Sequence, residues 1–423
     1  MENPPSKLET FRKLRKSVNW EIPHERVNLL YKFDDLIKSW EGQFPDLRDV
    51  FKKEEIDRLL IEEYEMVKSM ESNPRMHCRP RSSSFIDFVI ENGYRGESDV
   101  GGDGKPLLHR TTAVHLAAKR EYYSLVADLF RVYDRYDLNY FDDMGLTHFH
   151  VACMTGCDQV VKRFLEVGQD PNCLDYLTGD SPLHLALKHG HKKVTELLLR
   201  NGANPNLAND EGLTPLHFIC QNSKKNQFEC ESEAVELMNL FFTINDERHQ
   251  PVQVDAKNQL GLTPIQWAVA NLLPVAIDVL VDHGADLSEF VVPRASHLFE
   301  VSKLHEIDHA MDFKLNLTSC LLAVVGYLEK NGYQLKRSDA ATIMTLFAKH
   351  KLFENSEHWR EEDHLCEKLS RDFFRRWALD SFLKLTRYKL PILCCRLIID
   401  ESFKNKDLWY IFLAAKDQSS QCR

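Results

Sequence analysis

Four histidines recur in one local setting. His115, His150, His184 and His217 each stand three residues after a hydroxyl residue, at Thr112, Thr147, Ser181 and Thr214. Histidine is the commonest metal ligand and titrates near neutral pH, so such a row first suggests a metal ladder or a proton relay. A zinc site needs ligands that converge on one point. His150, Cys153 and Cys157 are spaced as neighbours on one helix, but no fourth ligand lies close by, and a packed helix is the better reading. The segment Gly101-Gly102-Asp103-Gly104-Lys105 invites a phosphate-loop reading. It lacks the G-x-x-x-x-G-K-[ST] spacing, Pro106 follows the lysine and no strand clearly precedes it, so it reads as a long hairpin loop. G-x-S-x-G and Cys-x-x-Cys patterns are absent. No catalytic, cofactor or metal site is expected, and the chain reads as a non-enzyme.

The elements around the histidines explain their recurrence better. Ser181 can cap a helix, Pro182 fits its first turn, and Leu183, Leu185 and Ala186 give it an apolar side. Gly190 stops that helix. Val194, Leu197 and Leu198 recur at helical spacing in a second one, and Gly202 is placed to end it in the left-handed conformation. Two short helices cannot bury their faces alone, so the unit needs copies on both sides. Those copies start at Thr112, Thr147, Ser181, Thr214 and Thr263, with intervals of 35, 34, 33 and 49 residues.

A period near 33 residues carrying T-P-L-H-x-A resembles the ankyrin repeat family over about half of the chain. The resemblance implies an all-α solenoid of helix-turn-helix units joined by hairpin loops. It also implies that each histidine hydrogen-bonds around its Thr or Ser and the adjacent hairpin backbone, tying neighbours together. In the last copy Gln266 replaces the histidine. Residues 85–93 resemble only the second helix of a repeat, as expected for a terminal, atypical unit.

Outside the repeats, residues 1–80 form a charged helical region, 81–292 the repeat domain, 293–310 a connector and 311–423 a helical C-terminal domain. Residues 222–232 are read as an extension of the turn between the helices of the Thr214 repeat, and 245–253 as a lengthened exit from its second helix, over 234–244. Such insertions are cheap in a solenoid. At the end, Leu390-Pro391-Ile392-Leu393 followed by Asp407-Leu408 resembles the F-box-like core of the PRANC family, closely over 390–409. By that resemblance Leu390, Pro391, Leu397, Ile398 and Leu408 would form an apolar face that docks a Skp-type subunit and, through it, a cullin. An ordinary helix-turn-helix that caps the solenoid is the alternative.

Composition sets the remaining bounds. A net charge of -10 over 423 residues argues against coating nucleic acid by bulk charge. The 11 scattered cysteines suit reduced thiols in the cytosol or nucleus. There is no apolar stretch at the start resembling a secretory signal, and no run long enough to span a bilayer. The expected function is a protein-binding adaptor that presents a partner to a cullin–RING ubiquitin ligase; the alternative is a plain scaffold or sequestering protein. The expected partner-binding residues are at the hairpin tips: Asp142, Asp143, Met144, Tyr176, Leu177, Asn209, Asp210, Glu211, Asn258 and Gln259. Several are acidic, which suits a basic contact patch on the partner.

Overall fold

The structure, a computed structural model, describes residues 7–38, 46–71, 85–96, 100–102, 104–221, 227–293, 310–350, 352, 361–386 and 392–420. Its described elements are helices, with only isolated bridges between hairpin arms. The chain divides into two compact units, Met1–Asp210 and Glu211–Arg423. Each unit joins repeat helices to non-repeat ones.

The first unit opens with α1 (Lys7–Lys16), α2 (Pro23–Lys38) and α3 (Lys53–Glu71), then the lone helix α4 (Phe85–Glu91). Three helix pairs follow: α5 (Ala113–Lys119) with α6 (Tyr123–Val132), α7 (His148–Thr155) with α8 (Asp158–Glu166), and α9 (Pro182–Lys188) with α10 (Lys192–Arg200). The pairs form for local reasons. The Ser181 hydroxyl accepts from His184 N, Pro182 occupies the first turn of α9, and Gly202 follows α10 at φ +94°. Leu183, Ala186, Val194, Leu198 and Leu199 are buried, so each pair spends its apolar faces on its neighbours. Gly156 ends α7 at φ +73°, and a Cβ there would come within 2.5 Å of the His191 ring, so the glycine is needed for conformation and space alike.

The second unit contains α11 (Pro215–Gln221), α12 (Gln227–Glu247), α13 (Pro264–Ala270) and α14 (Pro274–Asp282). The C-terminal helices follow: α15 (Ala310–Lys330), α16 (Arg337–Lys349), α17 (Glu361–Leu385), α18 (Ile392–Ser402) and α19 (Asn405–Ser420). Of the first insertion, residues 227–232 are helix and open α12, where a turn was expected; of the second, 245–247 end α12 and 248–253 form the exit from it. No glycine or proline stands between Gln221 and Gln250 to stop the helix earlier. Helix α15 packs on α14, and Val269, Leu272, Val292, Leu321, Val324, Leu328 and Ile343 close an apolar seam between the last repeat and the C-terminal helices. Asp278 on α14 receives Lys330 and Asn331 from the end of α15. The C-terminal helices therefore cover the outer face of the last repeat.

Candidate protein-binding surface

The recurrent histidines are structural, and their bonds define their tautomer. Thr147 N donates to His150 Nδ1 (3.2 Å), which leaves the proton on Nε2, and Nε2 donates to the Cys173 carbonyl (3.1 Å). His184 takes the Ser181 N–H (3.0 Å) and donates to Leu207 O (2.9 Å). His217 takes the Thr214 N–H (3.1 Å) and donates to Leu262 O (3.1 Å). Gln266 performs the same two-ended task with an amide: Thr263 N donates to its Oε1 (2.9 Å), and its Nε2 donates to Val291 O (3.0 Å). Burial pushes the His184 imidazole down to about 4 and lowers His150 as well, so both rings are held neutral near pH 7.

His115 departs from this expectation. Its Nδ1 accepts from Thr112 N (3.1 Å), but its buried Nε2 reaches no hairpin carbonyl in hydrogen-bonding geometry. The cause lies next door. His148 stands at the first helical position, where the three later repeats have Pro182, Pro215 and Pro264. Its N–H donates to Tyr140 O (2.9 Å), and its ring sits 4.8 Å from that of His115 while contacting Thr112 Oγ1 (2.7 Å).

Cys173 Sγ lies 3.7 Å from His150 Nε2, yet burial pushes its thiol up to about 12, which keeps it protonated. Among the described residues no group of three His, Cys, Asp or Glu is placed to hold a metal ion. The expectation that the chain carries no metal-site motif is wrong at one place: His305-Glu306-Ile307-Asp308-His309 has the H-E-x-x-H pattern of helical zinc sites. It lies outside the described residues.

Within each unit, backbone bonds join neighbouring hairpin tips. Phe141 N donates to Leu108 O (3.0 Å), Tyr176 N to Met144 O (3.1 Å) and Asp210 N to Thr178 O (3.0 Å) in the first unit. In the second, Gln259 N donates to Glu211 O (2.9 Å). The ten expected tip residues divide into two groups. Asp142 and Asn258 are turn caps: Asp142 Oδ1 accepts from Met144 N (2.9 Å) and Leu146 N (3.0 Å), and buried Asn258 accepts from Leu260 N (3.0 Å) and Leu262 N (2.9 Å). Asn209 is half-buried and donates to Asp180 Oδ1 (2.8 Å). Asp143, Met144, Tyr176, Leu177, Asp210, Glu211 and Gln259 face solvent. Leu260, which the sequence reading left out, does so too at 64% exposure.

At the C-terminal end, Leu390 and Pro391 lie outside the described residues. Leu397 belongs to α18, Ile398 is half-buried and Leu408 is fully buried, so Leu408 does not contribute to an open face in this conformation. Ile392 and Leu393, at the start of α18, are exposed. Asn405 anchors the turn between α18 and α19 to α17, with Nδ2 donating to Glu367 O (2.9 Å) and Ser370 Oγ (2.9 Å).

The N-terminal helices are tied to the first repeat through a buried carboxylate that spacing does not reveal. Asp57 on α3 accepts from Arg110 Nη2 (2.7 Å), from Ala113 N at the start of α5 (3.2 Å) and from the Tyr133 hydroxyl. Burial pushes the Asp57 carboxyl up, and burial with the Asp57 charge raises Tyr133 well above its ordinary value. The helix α3 thus takes the place of a preceding repeat, with an anion at the N-terminus of α5.

Residues 149–238 and 183–291 match the family model described as ankyrin repeats (three copies). The chain is similar to the mouse B-cell lymphoma 3 protein homolog, 36% identical over 111 residues, which are 26% of this chain and 25% of that protein. It is also similar to ankyrin repeat protein FPV031 of fowlpox virus, 33% identical over 112 residues, 26% of this chain and 32% of the relative. The rat nuclear factor NF-kappa-B p105 subunit is 36% identical over 174 residues, 40% of this chain and 17% of the relative. The chain therefore spans a third or less of the length of these relatives. It carries ankyrin repeats, and its fold is all-α. Among the described residues no helix is long and apolar enough to cross a membrane.

Proposed function

We propose that this chain is a non-catalytic protein-binding module that holds a protein partner along its hairpin tips. The observation that carries the reading is the backbone bonding between neighbouring tips within each unit, which fixes them while Asp143, Met144, Tyr176, Leu177 and Asp210 in the first unit, and Glu211, Gln259 and Leu260 in the second, stay exposed. The outer faces of the flanking repeats support it as well. In the first unit α3 covers α5, and in the second α15 covers α14, so these faces are spent on the chain's own helices. The finer reading is a ligase adaptor of the cytoplasm or nucleus that docks a Skp-type subunit and a cullin. Exposed Ile392 and Leu393, directly after Leu390 and Pro391, support that extension. The buried Leu408 and the packing of α15 on the last repeat favour the rival, a scaffold whose C-terminal helices are a cap.

Affinity purification of the tagged full chain with mass spectrometry separates the two. The module reading expects a protein whose capture is lost with Asp143→Lys and Asp210→Lys; Asp142 is left intact because it caps its turn. The adaptor reading further expects a Skp-type subunit, lost on combining Leu390→Ala, Pro391→Ala and Leu393→Asp, with tip-dependent capture unchanged. Recovery of no Skp or cullin subunit ends the adaptor reading and leaves the scaffold.

A further inference from the structure

The exposed tip residues are not equivalent. Between its cap and its glycine, the tip of the Ser181 repeat is one residue longer than the others: Asp175-Tyr176-Leu177-Thr178-Gly179 against Asp142-Asp143-Met144-Gly145 and Asn258-Gln259-Leu260-Gly261. The extra residue does not loosen it. The Asp175 carboxylate accepts from Leu177 N (2.9 Å), Thr178 N (2.7 Å) and Thr178 Oγ1 (2.8 Å), and Tyr176 N is bonded to the preceding tip. The Tyr176 ring lies across Gly145, where a Cβ would come within 2.3 Å of it, so the preceding tip is cut away to seat the ring. The outcome is a fixed pair of apolar side chains pushed into water, Tyr176 at 76% and Leu177 at 66% exposure, with Met144 at 48% beside them.

Free energy is lost by holding large apolar groups in water, and a rigid aromatic on a fixed backbone loses little entropy on binding. Tyrosine is also among the residues that dominate protein interfaces. The surroundings state the charge of the occupant. Residues 141–147 and 174–181 contain Asp142, Asp143, Asp175 and Asp180 and no lysine or arginine. Asp143 projects furthest, with its side chain 84% exposed beside His109.

We propose that Tyr176, Leu177 and Met144 are the anchor of the partner surface, and that they take an extended segment of another protein in which Lys or Arg flanks apolar side chains. The proposal rests on the protein-binding reading above and narrows it to one place and one class of partner. Exposed Asp143 faces a basic group of the segment, with the carboxylates of Asp142, Asp175 and Asp180 adding negative charge behind it, and the Tyr176–Leu177 pair receives its apolar groups.

A phage-displayed library of random dodecapeptides, panned on the immobilised full chain, tests this. Selected peptides are then synthesised and titrated by fluorescence anisotropy. The enriched sequences are expected to combine Lys or Arg with Phe, Leu or Trp. The double variant Tyr176→Ser, Leu177→Ser should weaken them by at least about tenfold. Asp143→Asn should weaken them less and flatten the salt dependence. Circular dichroism and urea unfolding of the double variant should match the wild type, because neither side chain is buried. Peptides that bind the double variant undiminished, or that are acidic, overturn the anchor while leaving the protein-binding reading in place. Failure to enrich any peptide overturns the extended-segment proposal, and the broader reading is then decided by the capture experiment.

Discussion

Replacing His184 tests whether a two-ended bond, and no chemistry, explains the recurrent histidines. The side chain, fully buried, joins Ser181 N, three residues before it, to Leu207 O, 23 residues after it. His184→Ala removes both bonds and strands a buried N–H and a buried carbonyl, each costing about 1–3 kcal/mol. It also leaves a cavity the size of an imidazole. The total is expected at about 3–5 kcal/mol, near the upper end of what single substitutions do. His184→Gln should recover most of it, because Gln266 spans the equivalent gap in this same chain with bonds of 2.9 and 3.0 Å. Equilibrium urea unfolding at pH 7 measures both. If glutamine proves no better than alanine, the two-ended bond is not what the position supplies.

The pH profile gives an independent check. The His184 ring titrates at about 4 in the fold against about 6.5 in the unfolded chain. The folded value is the lower one, so the unfolded state binds more protons between the two. Stability is therefore full above about pH 6.5 and falls as the pH drops toward 4, by about 3 kcal/mol for this group alone. His184→Gln should show a shallower acid limb than the wild type, with the two curves converging in slope above pH 7. Parallel limbs would refute the assignment of a neutral buried ring.

Three further outcomes follow from the geometry. Gly202→Val is expected to cost about 1–3 kcal/mol, all of it backbone strain at φ +94°, since no atom lies within 4 Å of the added Cβ; an unchanged melting curve would contradict the left-handed stop. Asp57→Ala leaves the buried Arg110 guanidinium uncompensated and should destabilise the first unit by about 3–5 kcal/mol, with Arg110→Met largely rescuing it in the double variant. For the pattern at His305 and His309, metal analysis of the purified chain should find no stoichiometric zinc; zinc present in the wild type and lost in His305→Ala, His309→Ala would overturn the expectation of no metal site.

What the sequence disclosed and what it withheld differ by the range of the interaction. Helix starts and stops are local: Ser181, Pro182, Gly190 and Gly202 act within a few residues of themselves, and α9 and α10 lie where those residues place them. The histidine bonds were legible through the ankyrin resemblance: one end is three residues away, and the other reaches the next hairpin, 23 residues on from His150 and His184 and 45 on from His217, whose repeat carries the insertions. The start of helix α12 was misread because the insertion at 222–232 was equated with a turn, whereas the absence of any glycine or proline from 222 to 250 carried the opposite signal for 227–232. The tip residues could be located but not sorted. Asp142 and Asp143 are adjacent and identical, and only the direction of one carboxylate, turned back onto Met144 N and Leu146 N, makes the first a cap and leaves the second facing solvent.

Asp57 marks the limit of such reading. In the sequence it is one acid among many in a charged segment, and its partners Arg110 and Tyr133 lie 53 and 76 residues away with no period connecting them. A buried carboxylate is tolerated only where several donors meet it, and here they come from the hairpin arm before α5, from the N-terminus of α5 and from the residue that follows α6. That convergence turns an ordinary surface helix into the end cap of the repeats. It also has a consequence for function. With the end face of the first repeat committed to Asp57 and α3, a partner that binds the first unit must do so from the side, where the tip ladder presents Met144, Tyr176 and Leu177.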